Sequence, residues 1–117
     1  MTENFEALAI SEKYLNEMLE ADDSKNFELY TKRYEKKYLV NFTHERFSND
    51  IKHMHEQNGM NTGYEFLGTL RNSKLDNLDV FRSVWKGIYE KRDAVIEMGV
   101  HKKNNEWYVI LSVVHPQ

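Results

Sequence analysis

The chain has 117 residues, 40% hydrophobic and 30% charged, with one Pro and five Gly. That size and balance suit one globular domain and exclude a disordered chain. A net charge of −3 gives no general attraction to nucleic acid or anionic lipid, and the lack of cysteine excludes disulfides, thiolate catalysis and Cys-based zinc sites.

The N-terminal stretch MTENFEALAISEKYLNEMLEADD carries no basic leader and no uninterrupted apolar segment. It predicts a cytoplasmic protein without a signal peptide or membrane span. Phe5, Leu8, Leu15, Met18 and Leu19 recur at helical spacing, with Thr2 as N-cap, and ADDS breaks the pattern. Ser24 then caps a second helix with an aromatic stripe, Phe27, Tyr30, Tyr34 and Tyr38. NFTHERF starts a third helix: Thr43 caps it, Glu45 complements its dipole, and Phe42 with Phe47 form a hydrophobic staple. Ile51 and Met54 continue the stripe, and Asn58-Gly59 ends it. After Gly63 the apolar period becomes two. YEFLGTLR predicts a strand, NSKLDN a loop and LDVFRSVWKGIYE a longer strand, with Lys91-Arg92 and Asn104-Asn105 as tight hairpin turns before the last two strands. Three helices followed by four strands predict an α+β fold with an antiparallel meander.

Those two turns set a register. Tyr89 falls opposite Ala94, Trp85 opposite Met98 and Ser83 opposite Val100; then Val100 opposite Val109, Met98 opposite Leu111 and Ile96 opposite Val113. One face then collects Phe81, Trp85, Tyr89, Ile96, Met98, Val100, Trp107, Val109, Leu111 and Val113, and the helices should pack on it. The other collects Val84, Lys86, Ile88, Val95, Glu97, Tyr108, Ile110, Ser112 and Val114, with Lys86 directly opposite Glu97. This second face is more apolar than a solvated antiparallel face should be, which predicts that a partner covers it.

WKGIYEKRDAVIEMGVHKKNNEWYVILSVV resembles the last three strands of the nuclear transport factor 2-like superfamily, which shares the cystatin-like α+β roll. FTHERFSNDIKHM, a helix just before the first strand, fits the same layout, as does the N-terminal helical pair. The nearest likeness is to small bacterial domains of this kind whose function is unknown. The resemblance implies three helices on a curved four-stranded sheet, a cone with a pocket, and dimerisation through the sheet's outer face. On such a cone Tyr30, Tyr34, Phe81, Trp85, Tyr89, Met98, Trp107 and Leu111 would line the pocket. Val84, Lys86, Ile88, Val95, Glu97, Tyr108, Ile110 and Val114 would form the dimer interface, with Ile110 opposite Gly99, whose missing side chain leaves room for a partner's residue. Some relatives are isomerases or cyclases with an Asp or His in the pocket; others only bind. The inward strand positions here offer Ser83, the Tyr89 hydroxyl, the indole N–H groups, and Asp79 or His115 at strand ends.

Other constellations carry less. His53 and His55 lie about 200° apart around a helix axis, so one ion does not reach both, and His44 is three turns away. No metal site or cofactor is expected. TKRYEKKYL mixes basic residues with tyrosines, but the tyrosines occupy the apolar stripe and the charges a solvated face, so no nucleic-acid site is expected. Trp85 and Trp107 serve either as core or as a stacking wall for a ligand ring. Asp79 is the candidate general base if it is desolvated inside the cone. The expected function is therefore a domain that binds a small apolar ligand or a protein, working as a homodimer. The alternatives are a ring-compound isomerase or cyclase using Asp79, or an inhibitor- or immunity-type interaction module.

Overall fold

A computed structural model describes residues 2–116, with side chains over 5–71 and 73–115. In chain order the elements are α1 (Thr2–Ser24), α2 (Phe27–Thr31), a single 3-10 turn (Lys36–Tyr38), α3 (His44–Asn58), β1 (Asn61–Leu75), β2 (Leu78–Tyr89), β3 (Asp93–Lys103) and β4 (Glu106–Pro116). The strands form one open antiparallel sheet in the order β1-β2-β3-β4. The molecule is thus α+β, three α-helices with a four-stranded antiparallel meander. Its core joins Tyr14, Leu15, Met18 and Leu19 of α1 to Trp85, Ile96, Met98, Val100 and Val109 of the sheet.

Helix α1 does not stop at ADDS. It runs through Ser24 and ends where Lys25 takes a left-handed φ of 58° and Asn26 N–H turns back to the Ala21 carbonyl at 2.9 Å. Residues 8, 11, 15, 18 and 22 fall on one stripe of this helix, so the continuation carries Asp22 into the interior beside Met18 and Leu19. At the other end Phe5 points outward, 77% exposed, and does not belong to the apolar face. The capping role read for Thr2 lies outside the described side chains.

The aromatic stripe does not make a long second helix. Asn26, not Ser24, caps α2, its side chain accepting from Leu29 N–H at 3.1 Å, and the helix closes after a single turn. The edge of the sheet then captures the chain. Val109 N–H donates to the Arg33 carbonyl at 2.8 Å, and Tyr34 bridges Val109 in parallel. Residues 33–35 therefore cover the outer edge of β4, leaving β1 as the other edge. Arg33 is held by a two-pronged ion pair with Glu17 at 2.9 and 3.0 Å. Helix α3 follows the sequence signals closely. Thr43 accepts from Arg46 N–H at 3.1 Å, Phe42 and Phe47 stack edge to face at 6.2 Å, and Gly59 takes φ 79°.

The sheet departs from the expected register in three places. First, NSKLDN is not a loop. β1 continues to Leu75, and Asp76-Asn77 alone make the turn with φ of 51° and 61°, a two-residue hairpin that fits the twist of the strands. Second, Lys91-Arg92 is not a two-residue turn. Ile88 pairs with Asp93, so the loop has four residues, and Trp85 lies opposite Ile96 rather than Met98. The α3–β1 connection explains this: Met60 O accepts from Glu90 N–H at 3.0 Å and Asn58 O from Lys91 N–H at 2.8 Å, bonds a tighter turn would forfeit. The slip is by two residues, so Ser83, Trp85 and Met98 keep their expected face. Lys86 is no longer opposite Glu97, however. Lys86 pairs with Glu65 at 3.0 Å, and Glu97 with Arg82 at 3.3 Å.

Third, β4 contains a bulge. Val100 pairs with Val109 as expected, but Gly99 pairs with Leu111, leaving Ile110 as the extra residue. Every later residue changes sides. Ser112 and Val114, expected on the outer face, stand opposite Met98 and Ile96 on the helix side. Leu111 and Val113, expected inside, join Gly99 and Glu97 outside. Gly99 is therefore no vacancy for a partner: a Cβ built there would meet Leu111 Cβ at 3.0 Å and Val80 Cγ1 at 3.1 Å.

Candidate ligand site

The eight residues expected to line one pocket separate into three groups. Trp85, Tyr89 and Met98 lie in the packed middle, each no more than 5% exposed, and Trp85 Nε1 donates to Ser83 Oγ at 2.8 Å. Phe81 and Trp107 lie at one end, bordering a cleft of about 580 Å³ that also reaches Ala7 and Asp79. Tyr30 and Tyr34 lie at the other end with Ser112. Leu111 has left for the outer face, carried by the bulge.

In the larger cleft Asp79, Lys102 and the Trp107 indole are already paired at the surface. Asp79 is 91% exposed and sits 3.2 Å from Lys74. Lys102 reaches Glu6 at 3.5 Å, and the Trp107 indole donates to the same carboxylate at 2.8 Å. A solvated, paired carboxylate is not the desolvated base that was sought in Asp79.

The cavity at the opposite end is different. It has a volume of about 340 Å³ and lies between α2, α3 and the last residues of β4. Its walls are Tyr30, Phe42 and Phe47 on one side and Ser112 and Val114 on the other. The rings are mutually packed, Tyr30 to Phe47 at 5.0 Å and Tyr30 to Phe42 at 5.6 Å between centroids. Ser112 shares this end of the molecule with both Tyr30 and Tyr34. Burial pushes the Tyr34 hydroxyl up to about 12 and the Tyr30 hydroxyl further, so both are neutral donors at any ordinary pH.

Asp22 closes the cavity from α1. It is 5% exposed, and its Oδ1 is buried with no hydrogen-bond partner. Burial, with the neighbouring Asp23 adding to it, pushes its carboxyl up to about 8. Nearby, Asn58 is fully buried; its Oδ1 accepts from Arg92 Nε at 2.6 Å while its Nδ2 has no partner. His55 Nε2 lies 3.9 Å from Asp23 and so makes no hydrogen bond to it. A buried polar atom left unpaired costs about 1–3 kcal/mol, and two such atoms, Asp22 Oδ1 and Asn58 Nδ2, belong to residues that line this one cavity. Asp50 lies on the opposite lip, and no Lys or Arg lines the cavity.

Of the remaining candidates, His53 lies on the rim of this cavity and His44 against the Phe27 ring at 5.3 Å. Among the described residues no group of three or more His, Asp or Glu is arranged to hold a metal ion. The basic segment 32–37 is not α-helical, and two of its charges serve ion pairs, Arg33 with Glu17 and Lys37 with Glu35 at 3.8 Å. Of the residues assigned to the outer face, Val84, Lys86, Ile88, Val95, Glu97 and Tyr108 stay there, half-buried, while Val114 does not. Glu97 also holds His115 at 3.4 Å. Among the described residues no helix is long and apolar enough to cross a membrane. No family model, curated protein or solved structure matches the chain.

The feature that sequence reasoning missed is Asp22. Its signal was present: it stands on the stripe of Ser11, Leu15 and Met18, where a solvated acid would not be expected. Reading ADDS as the end of the helix hid it.

Proposed function

We propose that this chain is a small-ligand-binding domain of the nuclear transport factor 2-like kind, whose ligand sits in the cavity between α2, α3 and β4. The observation that carries the reading is Asp22: a buried carboxyl with an unpartnered oxygen at an otherwise largely apolar cavity of ligand size. Such a group costs stability in the empty protein, and a bound molecule recovers that cost. Helices laid over one face of a bulged meander support the cone-like class. The outer band of Val84, Ile88, Val95, Leu111 and Val113 supports a homodimer through that face. The isomerase or cyclase reading gains no support from Asp79, which is paired and solvated. A fragment screen by amide NMR tests the proposal. Ligands should shift the signals of Tyr30, Phe47, Ser112 and Val114; shifts confined to the outer face would favour a protein-interaction module instead.

A further inference from the structure

The proposed ligand cavity has a sign. Two carboxylates reach it, Asp22 from α1 and Asp50 from α3, and no Lys or Arg does. Three aromatic residues form one wall, and ring faces carry negative potential that attracts cations. An anionic ligand would meet repulsion from Asp50 and from the ring faces. A neutral ligand would leave Asp22 Oδ1 dependent on keeping its own proton. A cation with an apolar body satisfies the carboxyl, the rings and the shape together. Resting on the reading of this cavity as the ligand seat, we propose that it binds an organic ammonium, its charge against Asp22 and its apolar part against Tyr30, Phe42 and Phe47.

The groups around Asp22 fit this assignment. Asp23 follows it on α1, Tyr30 stands across the cavity, and Tyr89 approaches from β2. Asp50, His53 and His55 face this end from α3. Arg92, which hydrogen-bonds two lining residues, is engaged by the side chains of Asn58 at 2.6 Å and Gln57 at 3.2 Å. Binding an ammonium favours the ionised form of Asp22. At pH 7, where burial keeps it largely protonated, ligand uptake must expel its proton.

The test uses three probes of one shape: 2-phenylethylammonium, its neutral counterpart 2-phenylethanol, and the anion phenylacetate. They are titrated into the whole chain and followed by amide NMR. The ammonium should bind about tenfold or more tightly than the alcohol, and phenylacetate least. Asp22→Asn should bring the ammonium down to the level of the alcohol, while Asp79→Asn should leave its preference intact. Calorimetry at pH 7 in buffers of different protonation enthalpy should show release of roughly one proton per ammonium bound, and none with Asp22→Asn. If alcohol and ammonium bind the cavity equally, the cation assignment is wrong while the ligand cavity stands. If no probe shifts the cavity signals at millimolar concentration, both readings fall.

Discussion

Arg82 reaches across from β2 to Glu97 on β3, guanidinium to carboxylate at 3.3 Å, four residues along the strand from Lys86, the partner that the hairpin turn alone would have chosen. The relationship fixes the register of the central hairpin, because Lys86 is committed to Glu65 on the other side. A double-mutant cycle on Arg82 and Glu97 should give a coupling of about 0.5–1 kcal/mol, as partly exposed cross-strand pairs do. The same cycle on Lys86 and Glu97 should give none. Coupling in the second cycle alone would restore the two-residue turn and overturn the four-residue loop.

Trp85 sits in the filled middle of the sheet, with its indole N–H on Ser83 and its ring against Tyr64 at 5.6 Å and Phe66 at 5.1 Å. Trp85→Ala should cost about 3–5 kcal/mol by the cavity it leaves and the Ser83 hydroxyl it strands. Urea melts measure this. A loss below about 1 kcal/mol would place the ring outside the core.

Asp22 should make stability depend on pH with an unusual sign. Its folded pKa is raised to about 8 from an ordinary carboxylate value near 4. Between those two pH values the folded state holds a proton that the unfolded state releases, so stability falls as pH rises through the window. Asp22→Asn should therefore be nearly neutral at pH 4 and stabilising by about 2–5 kcal/mol above pH 8. Melts of both proteins at pH 4.5 and 8.5 would show it; parallel curves would mean that Asp22 titrates normally.

The outer face offers a test of the proposed homodimer. The bulge moves Leu111 onto that face, on the end strand opposite Gly99. Leu111→Lys should favour monomer by placing like charges near a two-fold axis, and should leave the helix side of the sheet intact. Sedimentation at micromolar concentration decides it. A wild type that sediments as monomer ends the dimer proposal, and a variant that stays dimeric moves the interface elsewhere.

Much of the architecture was legible because its causes are local. The period of two, the Thr43 cap, the Phe42–Phe47 staple and the Asn104-Asn105 turn all act within a few residues, and each stands where the sequence put it. What failed depended on partners distant in the chain. The four-residue loop at Tyr89–Arg92 is set by carbonyls of Asn58 and Met60, and the truncated α2 by Val109. The candidate site was half legible. Tyr30 was found through its helical spacing to Phe27 and Tyr34, although Tyr34 proves to be on an extended strap. Ser112 was misplaced because alternation carried past an unseen bulge assigns every later residue to the wrong side.

That bulge also sets what kinds of change this protein tolerates. Ile110 is one extra residue, and its removal would restore strict alternation through the end of β4. Ser112 and Val114 would then trade places with Leu111 and Val113, exchanging the wall of the cavity for the skin of the sheet in a single step. Substitutions along this strand alter one side chain at a time, whereas a one-residue deletion rewrites two surfaces at once. The C-terminal strand should thus be permissive in composition and strict in length, and divergent versions of this chain should preserve the residue count between Gly99 and Ser112 even where they share few of its residues.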